Sequence, residues 1–185
     1  MDILDLTCRE SVSLADGVKS PAYAKDRLYL GAGFKTYLFF KLPSAAFFSK
    51  IVKAKLILFK IPFPLMDCCP PSRRGQYGVF PLLDYFSAYS GWYAPPRFDA
   101  GLRVDYQDQN GLSYAEIDIT KIVSSWIETE EENKGLLLAG APDSRFLIFA
   151  SGRYEAVGMR PTLRLAGRRF SRPLSMAPCT VRIKR

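Results

Sequence analysis

The sequence predicts an all-β protein: two antiparallel sheets packed face to face, with one short amphipathic helix closing an end of the sandwich. Three observations carry this. Short β-type runs separated by Pro, Gly and Asn turns recur along almost the whole chain. The strongest, KIVKAKLILFKIP (50–62), alternates Lys53 and Lys55 with Val52, Ala54 and Leu56, then turns apolar on both sides through Phe59. That is the pattern of a strand entering a sandwich core. Within a single segment, 118–140, the residues 119–127 switch to helical period.

Taken in order, RLYLGAG (27–33) is a first clear strand ending in a glycine turn. KTYLFFKLP follows, with Tyr37, Phe39 and Lys41 alternating against Leu38, Phe40 and Leu42, and Pro43 closes it. After the 50–62 strand, FPLMDCCPPSRRGQYG reads as a Pro- and Gly-rich loop. YGVFPLL is a strand in which Pro81 marks an edge or a bulge. The stretch 84–101 is aromatic and irregular. LRVDYQDQNGLSYAEIDI reads as a hairpin turning at Asn110-Gly111, a pair that tolerates positive φ. Next, Ile119, Ile122, Val123, Trp126 and Ile127 fall on one helical face. Asp118 or Thr120 can cap the start. Glu128 and Glu130–Glu132 crowd the C-terminal end, where acid opposes the helix dipole and favours an early stop. Asn133-Lys134-Gly135 supplies a turn, and the strands GLLLAGA, SRFLIFASG and MRPTLRLAG complete the sandwich.

The chain has 185 residues, enough for one domain with a sizeable core, and 48% of them are hydrophobic. No apolar run is long enough to span a bilayer, so no membrane partner is expected. The start, MDILDLTCRE, lacks the basic and long apolar regions of a Sec-type signal peptide. Synthesis in the cytoplasm, with a final place on a cell or spore surface, is the expected location. There is no histidine. That removes the commonest general base and most catalytic zinc sites. None of the four cysteines, Cys8, Cys68, Cys69 and Cys179, lies in a C-x-x-C pair. No metal, cofactor or catalytic centre is expected.

Net charge is +8, and much of the excess follows Leu165, where Arg168, Arg169, Arg172, Arg182, Lys184 and Arg185 occur with no acid. Such a tail is a solvated arm or one ordered by an acidic surface. Within it, Val181 and Ile183 alternate with Arg182 and Lys184, a pattern able to add a strand to an open sheet edge. The expected division is an N-terminal flank (1–13), a sandwich (14–165) and a basic arm (166–185).

In its order of motifs the chain resembles the DNRLRE family of disaggregatase-related modules, some of them carbohydrate-binding. The similar stretches are ADGVKSPAYAKDRLYLGAGFKTYLFFKLP, IVKAKLILFKI, YSGWYAPPRF, AEIDITKIVSSWIETEEENKGLLLAG and FLIFASGRYEAVGMRPTLRL, covering roughly 14 to 165. The resemblance implies a jelly-roll-like β-sandwich.

Two functions follow as expectations. The first is a non-catalytic structural subunit that self-associates through its terminal flanks into a layer or filament of the spore-coat or appendage type. Its contacts would be Cys8, Cys68, Cys69 and Cys179 as cross-links and Arg168, Arg169, Arg172, Val181, Ile183 and Arg185 as an arm. The partner is then another copy of the chain, in an oligomer or polymer. The alternative is a carbohydrate-binding module for an acidic polysaccharide, using Tyr85, Tyr89, Trp92, Tyr93 and Arg97. No nucleic-acid-binding motif is present, so nucleic acid is not an expected partner.

Overall fold

A computed structural model describes residues 2–15, 26–43, 48–62, 75–87, 90, 94–109, 111–128 and 132–169. Within them the chain is an antiparallel two-sheet sandwich with one α-helix. The first sheet has the order β1-β11-β5-β8, formed by Asp2–Thr7, Thr162–Arg169, Phe48–Phe59 and Tyr114–Asp118. The second has the order β2-β4-β9-β6-β7, formed by Glu10–Ala15, Phe34–Phe39, Leu136–Gly140, Gln76–Pro81 and Val104–Gln107. A short ladder joins β3 (Arg27–Leu30) to β10 (Leu147–Ala150).

The main core lies between the sheets. Ala54, Leu56 and Leu58 of β5 meet Leu38, Val79, Leu136 and Leu138 there. Helix α1 (Thr120–Glu128) adds Ile122, Val123 and Trp126, and Ile119 just before it is also buried. The helical stripe therefore faces the core, with Trp126 only 6% exposed. Asp118 accepts the Thr120 N–H at 3.0 Å, while the Thr120 hydroxyl accepts the Ala54 N–H of β5 at 2.9 Å. Both capping candidates are thus used, one to start the helix and one to tie it to the first sheet. At the far end the Asn133 side chain donates to the Phe40 carbonyl at 2.6 Å and accepts from the Gly135 N–H at 3.0 Å. Gly135 has φ +114°, and a Cβ there would stand 2.7 Å from the Leu38 carbonyl oxygen, so this turn needs glycine.

A second core covers the outer face of the second sheet. Leu14, Tyr37 and Leu137 are buried there beneath Leu82 and Phe86, with Val12, Phe39, Phe80 and Ala139 around them. The ring of Tyr37 lies 5.7 Å from that of Phe86.

Three sequence expectations are corrected. The proposed flank 1–13 is not outside the sandwich: Asp2–Thr7 is an edge strand paired to β11, and Glu10–Ala15 is an edge strand paired to β4. Cys8 and Arg9 carry the chain between the sheets, held by Cys8 N–H to the Pro161 carbonyl and Arg9 N–H to the Phe39 carbonyl. The hairpin read over 102–119 is not one, because β7 belongs to the second sheet and β8 to the first. Gly111 does turn with φ +89°, but the turn crosses between layers. Pro81 lies at neither an edge nor a bulge. It ends an interior strand beyond the Gln76–Val79 stretch that pairs with β7, where a missing N–H is tolerated.

Candidate functional site

The aromatic segment after β6 is positioned by its backbone. Leu82 N–H donates to the Gly135 carbonyl, Leu83 N–H to the Arg97 carbonyl, and Asp99 N–H to the Pro81 carbonyl. These bonds lay the segment across the second sheet. Phe86 points down into the second core, and Phe98 stands 5.0 Å from Phe80. Tyr85 stays 56% exposed. Its hydroxyl donates to Glu132, which holds the phenol above its usual titration range. Arg97 is gripped by Asp84 through Nε (2.8 Å), Nη2 (2.9 Å) and its own N–H (3.1 Å). That guanidinium pulls the Asp84 carboxyl down to about 2. Of the glycan-binding candidates, Tyr85 and Arg97 therefore come onto one loop surface beside exposed Leu83 and Phe98. Tyr89, Trp92 and Tyr93 lie outside the described residues. The Arg97 charge is already matched by Asp84, and the other cation at this surface is Lys134, whose Nζ donates to the Leu83 carbonyl at 3.1 Å.

The first and last described strands meet in the first sheet. Asp2 is opposite Gly167, and among the described residues β1 has no second neighbour in the sheet. Leu4 and Leu6 of β1 pack half-buried against the main core, while Ile3 points outward, 65% exposed. Arg168 and Arg169 are not part of a free arm; both are residues of β11, paired to Lys50 and Phe48. Arg172, Val181, Ile183 and Arg185 lie outside the described residues, as do Cys68, Cys69 and Cys179.

Cys8 is a further correction. It is 5% exposed, and its thiol donates to the Glu10 carbonyl at 3.0 Å. Burial pushes the thiol up to about 12. A buried thiol held neutral is not available to cross-link copies.

One cluster escaped the sequence reading. Where β5, β7 and β8 end or begin, Lys60 Nζ lies 2.6 Å from Asp108 Oδ1 and donates to the Gln109 carbonyl at 2.9 Å. Tyr106 donates to the same Asp108 oxygen at 2.7 Å, and Tyr77 beside it donates to the Arg145 carbonyl. Burial first, and the Asp108 charge after it, push both phenols far above their usual range. The only sequence signal was a lysine ending the apolar half of β5. No buried side-chain polar atom among the described residues lacks a partner, so this ion pair fastens the sheets together rather than presenting open valences. Among the described residues, no group of three or more Cys, Asp or Glu is placed to hold a metal ion.

No protein-family model matches the chain, and no curated protein matches it.

Proposed function

We propose that the chain is a non-catalytic structural subunit that self-associates, the end of one copy adding to the sheet edge of the next. The observation that supports this is the pairing of β1 with β11 at one edge of the first sheet. Strand β1 closes the first sheet on one side only, and β11 beside it leads directly into residues 170–185. An edge strand leaves a row of backbone donors and acceptors open to a further strand. The alternation of Val181 and Ile183 with Arg182 and Lys184 suits such a strand. An end-to-edge contact is heterologous, so repetition gives a filament or layer wherever its rotation does not close into a ring. Cys68, Cys69 and Cys179 are the remaining candidates for locking it.

The test compares the full chain with one ending at Arg169, by light scattering and electron microscopy, with and without reductant. Assemblies formed by the full chain and lost on truncation are the expected result. A strictly monomeric full chain under oxidising conditions sinks the reading. Removing 1–13 is not a usable control, because it deletes β1 and most of β2.

A second reading, a carbohydrate-binding surface, rests on Tyr85, Phe98 and Leu83 standing exposed around the Arg97–Asp84 pair. Retention on a glycan array that disappears with Tyr85→Ala would move this reading ahead.

A further inference from the structure

Lys60 and Asp108 bring a primary amine and a carboxyl group into contact where the two sheets meet. Lys60 follows β5 of the first sheet, and its backbone is pinned. Its N–H donates to the Ser113 carbonyl at 2.8 Å, and it bridges Phe149 of β10. Asp108 follows β7 of the second sheet and donates its N–H to the Gly75 carbonyl at 3.2 Å. Lys60 Nζ stands 2.6 Å from Asp108 Oδ1, with the two side chains 17% and 4% exposed. Nζ also donates to the Gln109 carbonyl at 2.9 Å. The buried Tyr106 donates its hydroxyl to the same Oδ1 at 2.7 Å, and its ring lies 5.8 Å from that of buried Tyr77. The Lys55–Glu116 pair has the same chemistry on the outer face of the first sheet, but its side chains are 28% and 39% exposed.

We propose that Lys60 and Asp108 condense to an amide, a covalent cross-link between the two sheets. The step balances without a co-reactant. One proton passes from the ammonium group to the carboxylate. The freed amine adds to Asp108 Cγ, and negative charge gathers on Oδ1, where the Tyr106 hydroxyl donates. The nitrogen gives a second proton to the other carboxyl oxygen, which leaves as water. The Nζ–Cγ bond forms, a Cγ–O bond breaks, and nothing is oxidised or reduced. Two effects drive the condensation. The fold holds the amine against the carboxyl group, and well-oriented intramolecular reactions reach effective molarities of about 10⁵–10⁸ M. The amide is neutral, so its formation removes the cost of keeping two ions away from water. At Lys55–Glu116 water reaches both ions, and that pair stays an ion pair. The inference does not rest on self-association, and its test leaves that reading untouched.

The test is the intact mass of the full chain, purified folded and measured under denaturing and reducing conditions, followed by tryptic peptide mapping. The expected chain is lighter than its sequence by one water molecule. Trypsin does not cut it after Lys60, and one branched peptide joins Lys60 to Asp108, while Lys55 and Glu116 stay unlinked. Lys60→Gln and Asp108→Ala each return the chain to its full sequence mass. Tyr106→Phe, which keeps the ring, forms the bond about a hundredfold more slowly, so the freshly purified variant retains its water. The wild-type mass and peptide map stand whether or not these variants fold. A folded wild-type chain at full sequence mass, or a missing water that maps to other residues, would overturn the proposal.

Discussion

The two sheets of this sandwich bury different numbers of faces. The first buries one, and its outer face carries Asp5, Lys53, Lys55, Glu116 and Arg164. The second buries both, because the segment after β6 folds back over its outer side and seals Leu14, Tyr37 and Leu137 under Leu82 and Phe86. The strand sequences differ accordingly. Strand β5 alternates lysine with aliphatic residues before becoming apolar, whereas Leu136–Leu138, the centre of the second sheet, is apolar at every position. Alternation therefore marks a solvent face, and its loss marks a cover supplied from elsewhere in the chain.

Removing core side chains tests the comparison most severely. Trp126→Ala opens the end that the helix closes and should cost about 3–5 kcal/mol, measured by urea unfolding. A loss under about 1 kcal/mol would mean that the helix does not seal the core. On the second sheet, Leu137→Ala should cost about 2–5 kcal/mol, although the residue sits on an outer face. Lys53→Ala, on the outer face of the first, should stay within about 0.5 kcal/mol. Equal costs at the two positions would erase the distinction between the sheets.

Alkaline pH gives an intermediate effect. Burial raises the Cys8 thiol from 9.0 to about 12 and the Tyr37 phenol from 10.0 to about 12. Both groups are neutral at lower pH in the folded and unfolded states alike. Above the unfolded values the unfolded chain loses protons that the folded one retains, so stability is complete below pH 9 and falls progressively toward 12. Cys8→Ala should flatten the first part of that fall in a series of thermal melts. Native Cys8 should also resist iodoacetamide at pH 8 and react once the chain is unfolded. At the exposed Asp5–Arg164 pair the effect is small as well: Arg164→Ala should change stability by about 0–1 kcal/mol, and less at high salt.

Much of the fold was legible because its signals are periodic. The stripe from Ile119 to Ile127 named the buried face of α1, and the run in β5 named a core strand. What escaped was non-local. DILDLT has the alternation of a strand, with Leu4 and Leu6 inward, but nothing in those six residues names β11 as the partner across the whole chain. The inward side of β2 carries Ser13 rather than an aliphatic group. Ser13 is buried because its hydroxyl accepts the Tyr29 N–H at 2.8 Å and meets the Thr36 hydroxyl at 3.1 Å, fastening β3 to the second sheet. Such a bond has no local signature. The NG turn was read correctly as a turn and wrongly as a hairpin, since turn chemistry does not say which sheet the next strand joins. At the candidate surfaces, Tyr85 and Arg97 were found as aromatic and basic loop residues. That Asp84 would neutralise Arg97 depended on backbone register.

The pairing of Asp2 with Gly167 also fixes an order of events during synthesis. A ribosome adds roughly 5–20 residues per second, so β1 waits on the order of ten seconds or more for its partner to be made. Strands β2, β4, β6, β7 and β9 of the second sheet are all complete before β11 exists. The first sheet can only be finished once β11 has left the ribosome and inserted between β1 and β5. Until then the edges of β1 and β5 that β11 will occupy stand without that partner, and main-chain donors and acceptors along them are open to another strand.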